Sequence, residues 1–303
     1  MMRLAAIAAA AMLLQQSATF KATVDAVTVD VSVRDGTKVV SNLTAGDFTL
    51  LDNGVPQQIA AVSYGKLPID VTLALDVSFS VTGPLLDQLR AAVHQLMRDL
   101  GPQDRLRLID FNMRVHRAVD FTGDAAQVAS ALSQAAAGGG SSIRDAIAVA
   151  LVSASEPERR QLIVVFTDGA DSTSFTTPES LLDLAKRTSA SVAAVVMRGS
   201  GRAGPQAAQW LELLQTLSKE TGGSVIPVTL GQTTSVSGRV TTVRNAPAAD
   251  LTQTFRRVLD DFRSSYVLHF TPSGVAPGGF HAIDVAVKGK RSLTVRARRG
   301  YQR

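Results

Sequence analysis

Between residues 69 and 264, short continuous apolar runs alternate with stretches of helical period, and this alternation restricts the fold more than any other property of the chain. Leu162-Ile163-Val164-Val165-Phe166 carries no polar residue, and Val71-Thr72-Leu73-Ala74-Leu75 carries one hydroxyl. Such strands are covered on both faces, the signature of a parallel sheet between helix layers. Strands are expected at 69–75, 105–111, 115–121, 161–167, 191–197 and 224–228. Leu85, Leu86, Leu89, Val93, Leu96, Met97 and Leu100 form an apolar helical stripe behind Pro84, which suits a first helical turn. Leu251, Phe255, Val258, Leu259 and Phe262 form a second stripe. Helices near 145–154, 178–188 and 206–221 bring the expected set to five. The fold class is therefore α/β: a doubly wound, mostly parallel sheet flanked by helices.

The flanks follow another rule. Val27, Val29, Val31 and Val33 alternate with Thr28, Asp30, Ser32 and Arg34, and turns follow at Asp35-Gly36 and Asp52-Asn53-Gly54. Period two returns in 266–270, 283–287 and 293–297. Short β segments cannot bury enough surface alone, so the two ends are expected to pair into a small β-sandwich. The expected organisation is a signal peptide at 1–18, an N-terminal β segment at 19–66, the α/β domain at 67–264 and a C-terminal β segment at 265–303 that pairs with 19–66. Residues 231–247, rich in Gly, Ser and Thr, form either a loop or a short hairpin.

Arg3 precedes the run Leu4 to Leu14, which is shorter than the ~20 residues of a spanning helix and reads as a secretory signal cleaved after Ala18. The chain has no cysteine, which removes disulfides, thiolate metal sites and cysteine catalysis, and fits a bacterial periplasm or secretion from a bacterium. The expected chain has no transmembrane segment after signal removal. The net charge of +5 is concentrated towards the end, at Lys288, Lys290, Arg291, Arg296, Arg298, Arg299 and Arg303. Ser292 to Arg298 alternates at period two, so these charges decorate a strand's solvent face, and no stacking aromatics accompany them. Nucleic-acid binding is not expected.

Asp76-Val77-Ser78-Phe79-Ser80 directly follows the first apolar strand, and Thr167-Asp168-Gly169 ends another. Between them, Gly138-Gly139-Gly140-Ser141-Ser142 opens a helix. In open parallel sheets ligands bind at the carboxyl ends of strands, so the three segments should converge. Asp76, Ser78, Ser80, Ser141 and Asp168 would then supply five oxygens to a hard cation, Mg²⁺ first and Mn²⁺ or Ca²⁺ as alternatives. Asp145, three residues after Ser142, is expected to reach back to the helix start as a capping-box acid. Asp171 is either a support to the metal site or an ordinary loop Asp, and Asp110 a paired or edge residue of its strand.

These segments resemble the von Willebrand factor type A domain with its metal-ion-dependent adhesion site. That pattern is Asp-x-Ser-x-Ser, a Thr in a Gly-rich loop, and an Asp in Thr-Asp-Gly. Asp76-Val77-Ser78-Phe79-Ser80 and Thr167-Asp168-Gly169 match it, and a serine replaces the Thr. Ser141 or Ser142 fills that place; Ser141 aligns Ile143-Arg144-Asp145-Ala146-Ile147 with the family's helix start. The flanks resemble a group of bacterial secreted proteins related to this domain, through Asn53-Gly54-Val55-Pro56, Tyr266-Val267-Leu268 and Arg298-Arg299-Gly300-Tyr301. The resemblance implies a partner protein that presents Asp or Glu to the metal.

Two carboxylates balance a divalent charge and three hydroxyls add none, which leaves the cation open to an acidic oxygen. No Gly-x-Ser-x-Gly elbow, Walker loop or metal-spaced histidine set is present, and His94, His116, His269 and His281 are scattered. The expectation is a secreted protein-binding module and not an enzyme. The alternatives are a scaffold with a vestigial metal site and, third, a metal-assisted hydrolase.

Overall fold

The computed structural model describes residues 26–153, 156, 158–167, 171–198, 205–229, 233–236, 239–242, 250–289 and 292–303. The expected signal segment, 1–18, lies outside them, as does Asp168. In chain order the N-terminal strands are β1 (Val27–Asp35), β2 (Lys38–Val39), β3 (Phe48–Asp52), β4 (Val55–Pro56) and β5 (Ile59–Tyr64). The central part runs β6 (Ile69–Asp76), α1 (Pro84–Asp99), β7 (Arg105–Phe111), β8 (Val115–Thr122), α2 (Ala125–Gln134), α3 (Ile143–Val152), β9 (Arg160–Thr167), α4 (Pro178–Lys186), β10 (Ser191–Arg198), α5 (Pro205–Thr221) and β11 (Ser224–Thr229). There follow β12 (Thr233–Val236), β13 (Arg239–Thr242), α6 (Leu251–Arg263), β14 (Tyr266–Phe270), β15 (Phe280–Val287), β16 (Thr294–Ala297) and β17 (Gly300–Gln302).

The central sheet has the order β11-β10-β9-β6-β7-β8. It is parallel except at its edge, where β8 runs antiparallel to β7. Every residue of β6 is buried, as its apolar run requires. Leu73, Leu75 and Phe166 face one core with Leu89, Val93, Val128, Phe255 and Phe262, from α1, α2 and α6. Ala74, Ile109 and Val165 face the other with Ile143, Ile147, Leu181, Trp210 and Leu214, from α3, α4 and α5. Three helices on each face make the sheet doubly wound, as expected.

Among the described residues six helices stand where five were expected. The additional one is α2, whose buried face is only Val128 and Leu132 among alanines and polar residues. Its local signal is Asp124, whose carboxylate accepts from the Ala126 N–H at 2.8 Å as an N-cap. The stretch after β11 contains the hairpin alternative: β12 and β13 pair antiparallel.

The two ends of the chain pair with each other. One sheet has the order β16-β1-β14-β5 with β2 against β1, and the other β17-β15-β3-β4. Val31 opposes both Tyr266 and Ala297, and Leu50 opposes Val285. Valines of β1, Phe48, Leu50, Tyr266, Phe270 and Tyr301 share one core between these sheets. The Tyr266 hydroxyl donates to the Val40 carbonyl at 2.8 Å and accepts from the Leu43 N–H at 3.1 Å. Asp52, fully buried, accepts from the Tyr301 hydroxyl at 2.7 Å and lies 2.8 Å from Nδ1 of His281.

Arg160 joins this sandwich to the base of the central sheet. From the start of β9 its guanidinium donates to Asp30 in β1 at 2.7 Å, and to the Phe262 carbonyl and Ser265 hydroxyl at 2.7 and 2.6 Å. A charged group this buried is retained because its Nε and Nη2 donors meet a carboxylate, a carbonyl and a hydroxyl. The carboxyl ends of the central strands are thereby left facing away from the sandwich. No helix among the described residues is long and apolar enough to cross a membrane.

Candidate functional site

Asp76 is the last residue of β6 and is completely buried. Its Oδ1 accepts from the Ser78 N–H at 2.9 Å and from the Ser141 hydroxyl at 3.4 Å. Its Oδ2 accepts from the Thr167 hydroxyl at 2.9 Å. Ser78 is buried and its hydroxyl lies 3.2 Å from that of Ser80, which is exposed. The structure therefore brings together Asp76, Ser78, Ser80 and Ser141, contributed by the turn after β6 and the loop before α3.

The triple glycine makes this convergence possible. Gly138 N–H donates to the Val77 carbonyl at 2.8 Å, and Phe79 N–H to the Gly139 carbonyl at 3.1 Å, so the two loops are zipped by their backbones. Gly139 has a φ of +75°, where L side chains are strained, and a Cβ there would sit 3.1 Å from the Met113 side chain. A Cβ on Gly140 would approach the Ser172 hydroxyl to 2.7 Å. That hydroxyl accepts from the Ser141 N–H at 2.9 Å. Any larger residue at 140 would displace this support.

Ser141 and Ser142 point differently. The Ser142 hydroxyl donates to the Asn112 carbonyl at 2.8 Å and lies 2.9 Å from the Thr173 hydroxyl, away from Asp76. Ser142 is the N-cap of α3, yet Asp145 makes no return bond to it. Asp145 instead accepts from the backbone N–H groups of Phe175 and Thr176 at 3.0 and 2.8 Å, because the loop after β9 passes within reach of α3. Burial pulls its carboxyl upward, but these bonds and one from the Thr176 side chain prevail and hold it below the usual value.

Asp171 belongs to the same strap. It accepts from the Arg144 N–H at 2.7 Å and from the Ser174 hydroxyl and N–H at 2.5 and 3.1 Å, which fixes the loop to the start of α3. Asp110 pairs with His116 at 2.9 Å on the sheet's edge. Thr167 and Ser172 are the residues sequence reasoning did not single out. Thr167 was legible only as a flank of Asp168, and Ser172 lies in a loop without pattern.

Above these oxygens lies an open cleft of about 450 Å³ lined by Ser78, Phe79, Ser80, Met113, Gly139, Gly140, Ser141 and Ser172. The polar side chains that line it, and Asp76 beneath, offer only oxygens, the donors a hard cation takes. Among the described residues no three His, Asp or Glu side chains gather as a metal-binding group, and what these residues offer a cation here is hydroxyls with Asp76.

The sequence profile of the von Willebrand factor type A domain matches residues 70–237. Two curated relatives are similar over this part. Inter-alpha-trypsin inhibitor heavy chain H4 from Sus scrofa is 26% identical over 166 residues, 50% of this chain and 18% of the relative. The Homo sapiens protein of the same name is 31% identical over 156 residues, 47% of this chain and 17% of its own. The chain thus spans less than a fifth of the length of these relatives. Among solved structures, a von Willebrand factor type A protein from Catenulispora acidiphila is 13% identical, with a TM-score of 0.49 covering 84% of this chain and 73% of that one. BatB from Bacteroides thetaiotaomicron is 16% identical, with a TM-score of 0.47 covering 64% of this chain and 98% of that one.

Proposed function

The chain belongs to the von Willebrand factor type A domain family, and on that premise we propose that it is a secreted, metal-dependent module that binds a partner protein through an Asp or Glu of that partner. The observation that carries this reading is a fully buried carboxylate, Asp76, at the base of an open cleft, with the hydroxyl of Ser141 donating to it.

Asp76, Ser78, Ser80 and Ser141 would hold the cation, with Asp168 as the fifth residue on the strength of its sequence position after Thr167. Mg²⁺ fits this set best, and Mn²⁺ or Ca²⁺ are the alternatives. When bound, the cation supplies an electrophilic centre for an incoming carboxylate. The chain's own residues do the rest. The Ser78 N–H and the Thr167 hydroxyl fix the orientation of Asp76, one on each oxygen. The glycine loop and Ser172 hold Ser141 towards Asp76. Two carboxylates in five donors balance a divalent charge without exceeding it, so a third, from the partner, is favoured.

Binding, and not turnover, is the inferred outcome. The residues lining the cleft are serines, glycines, Phe79 and Met113, none of which serves as a general base at neutral pH. The leader-like pattern of residues 1–18 supports a site of action outside the cytoplasm.

Calorimetric titration of the chain with Mg²⁺, Mn²⁺ and Ca²⁺, beside Asp76→Ala and Asp76→Asn, tests the reading. Saturable one-to-one binding in the parent and none in either variant is expected, with unchanged circular dichroism. Equal metal binding by the variants overturns it. One observation favours a second reading: both Asp76 oxygens already accept protein donors, as they would in a purely structural hub. A scaffold of that kind would capture its partner equally with and without chelator.

A further inference from the structure

We infer that the partner segment received at this cleft carries a large apolar side chain next to its acidic residue, and that Phe79 and Met113 form the seat for that side chain. The inference rests on the function proposed above and specifies the partner's chemistry.

Phe79 is 74% exposed and Met113 60%, and both line the cleft above Asp76. Neither belongs to the two cores around the central sheet, so the fold does not require apolar residues at these positions. Most of the cleft's lining surface is apolar although four of its eight lining residues are serines. A site for a carboxylate alone needs no such walls, and about 450 Å³ is far more space than one carboxylate fills.

Both side chains lie over the glycine loop. A Cβ on Gly138 would stand 3.9 Å from the Phe79 ring, and one on Gly139 would stand 3.1 Å from Met113. Bare glycine backbone therefore lies beneath both, and the Phe79 N–H to Gly139 carbonyl bond anchors the loop that carries the ring. An exposed aromatic ring and an adaptable thioether lining one cleft are residue types enriched at the centres of protein interfaces.

The test is selection from a displayed library of random heptapeptides against the full chain in Mg²⁺, with elution by EDTA. Eluted sequences are expected to be enriched in Asp or Glu with Leu, Ile, Met or Phe within two positions. Phe79→Ser and Met113→Ser change exposed side chains and leave the cores intact. Both are expected to keep the acidic enrichment, lose the apolar preference, and bind the selected peptides about tenfold more weakly. Calorimetric Mg²⁺ binding by both should match the parent. Acidic enrichment without an apolar neighbour overturns this inference and leaves the metal-dependent reading standing. No EDTA-eluted acidic enrichment at all overturns the function beneath it. A dimer of the parent in light scattering that Phe79→Ser dissolves would assign the apolar pair to a second copy of the chain and overturn the peptide seat.

Discussion

The Thr167 hydroxyl donates to Oδ2 of Asp76 at 2.9 Å, so the ends of two adjacent central strands are joined by side chains as well as by backbone. Both residues are fully buried. Thr167→Val retains the branched shape and removes the donor, leaving a buried carboxylate oxygen with one partner fewer. The expected loss is about 1–3 kcal/mol in urea denaturation, and Thr167→Ser should recover most of it. An unchanged urea midpoint for the valine variant would show that the bond contributes nothing net.

Adjacent serines at 141 and 142 give a second prediction, because their hydroxyls serve different ends. Ser141 donates to Asp76, and Ser142 to the Asn112 carbonyl. Ser141→Ala is expected to weaken Mg²⁺ binding at least about tenfold, since it removes one of few oxygen donors, and to lower the melting temperature less than Thr167→Val, because its bond to Asp76 is 3.4 Å long against 2.9 Å. Ser142→Ala is expected to do the reverse: Mg²⁺ affinity is kept while about 1 kcal/mol of stability is lost with the hydrogen bond. Calorimetry and thermal melting on the same preparations read both. The opposite pattern would exchange their roles.

How far the sequence foretold the fold differs from element to element for physical reasons. Leu162 to Phe166 of β9 is apolar without interruption, and Val71 to Leu75 of β6 is broken only by Thr72, because helices cover both faces, so no partner need be known to recognise them. Helix α2 escaped because its core contact is only Val128 and Leu132. Alternation of Val27 to Val33 marked a strand, but its register against Tyr266 and Ala297 depends on segments more than 230 residues away. At the site, Asp76, Ser78, Ser80 and Ser141 were legible because three oxygen-bearing segments occur together in one order, Asp-x-Ser-x-Ser, a serine in a Gly-rich loop and Thr-Asp-Gly, whereas Asp and Ser after a strand alone commonly cap the next helix. The pairing of Asp145 with Phe175 and Thr176 was not, because a capping box and a loop strap present the same residue at the same spacing.

Gly222 and Gly36 separate two costs of a missing side chain. Both have left-handed backbone, at φ +76° and +56°. A Cβ at Gly222 would lie 2.8 Å from the Arg298 amide nitrogen and 3.0 Å from the Ala297 carbonyl carbon, where α5 ends against the sandwich, whereas at Gly36 nothing lies within 4 Å. Gly36→Ala should cost about 1–2 kcal/mol, the left-handed strain alone. Gly222→Ala adds a backbone collision and should lower the melting temperature by clearly more. Equal shifts would mean that the sandwich can move away from α5 at little cost.

Acid should loosen the contact between α1 and α6 through Asp99. Arg256 donates to its two oxygens at 2.8 and 2.9 Å, and Gln95 to one at 2.8 Å. The Arg256 bond, with the smaller help of Gln95, holds the Asp99 carboxyl below its ordinary value against the opposing pull of burial. A folded value below the unfolded one of about 3.9 means that the pair's contribution is complete above that pH and is lost as pH falls through the lower, folded value. Asp99→Asn should therefore be less stable than the parent near neutrality, and the gap in urea midpoint should close as pH is lowered from about 5 to about 2.5. A gap that stays constant over that range would show that the carboxylate's charge is not what joins the two helices.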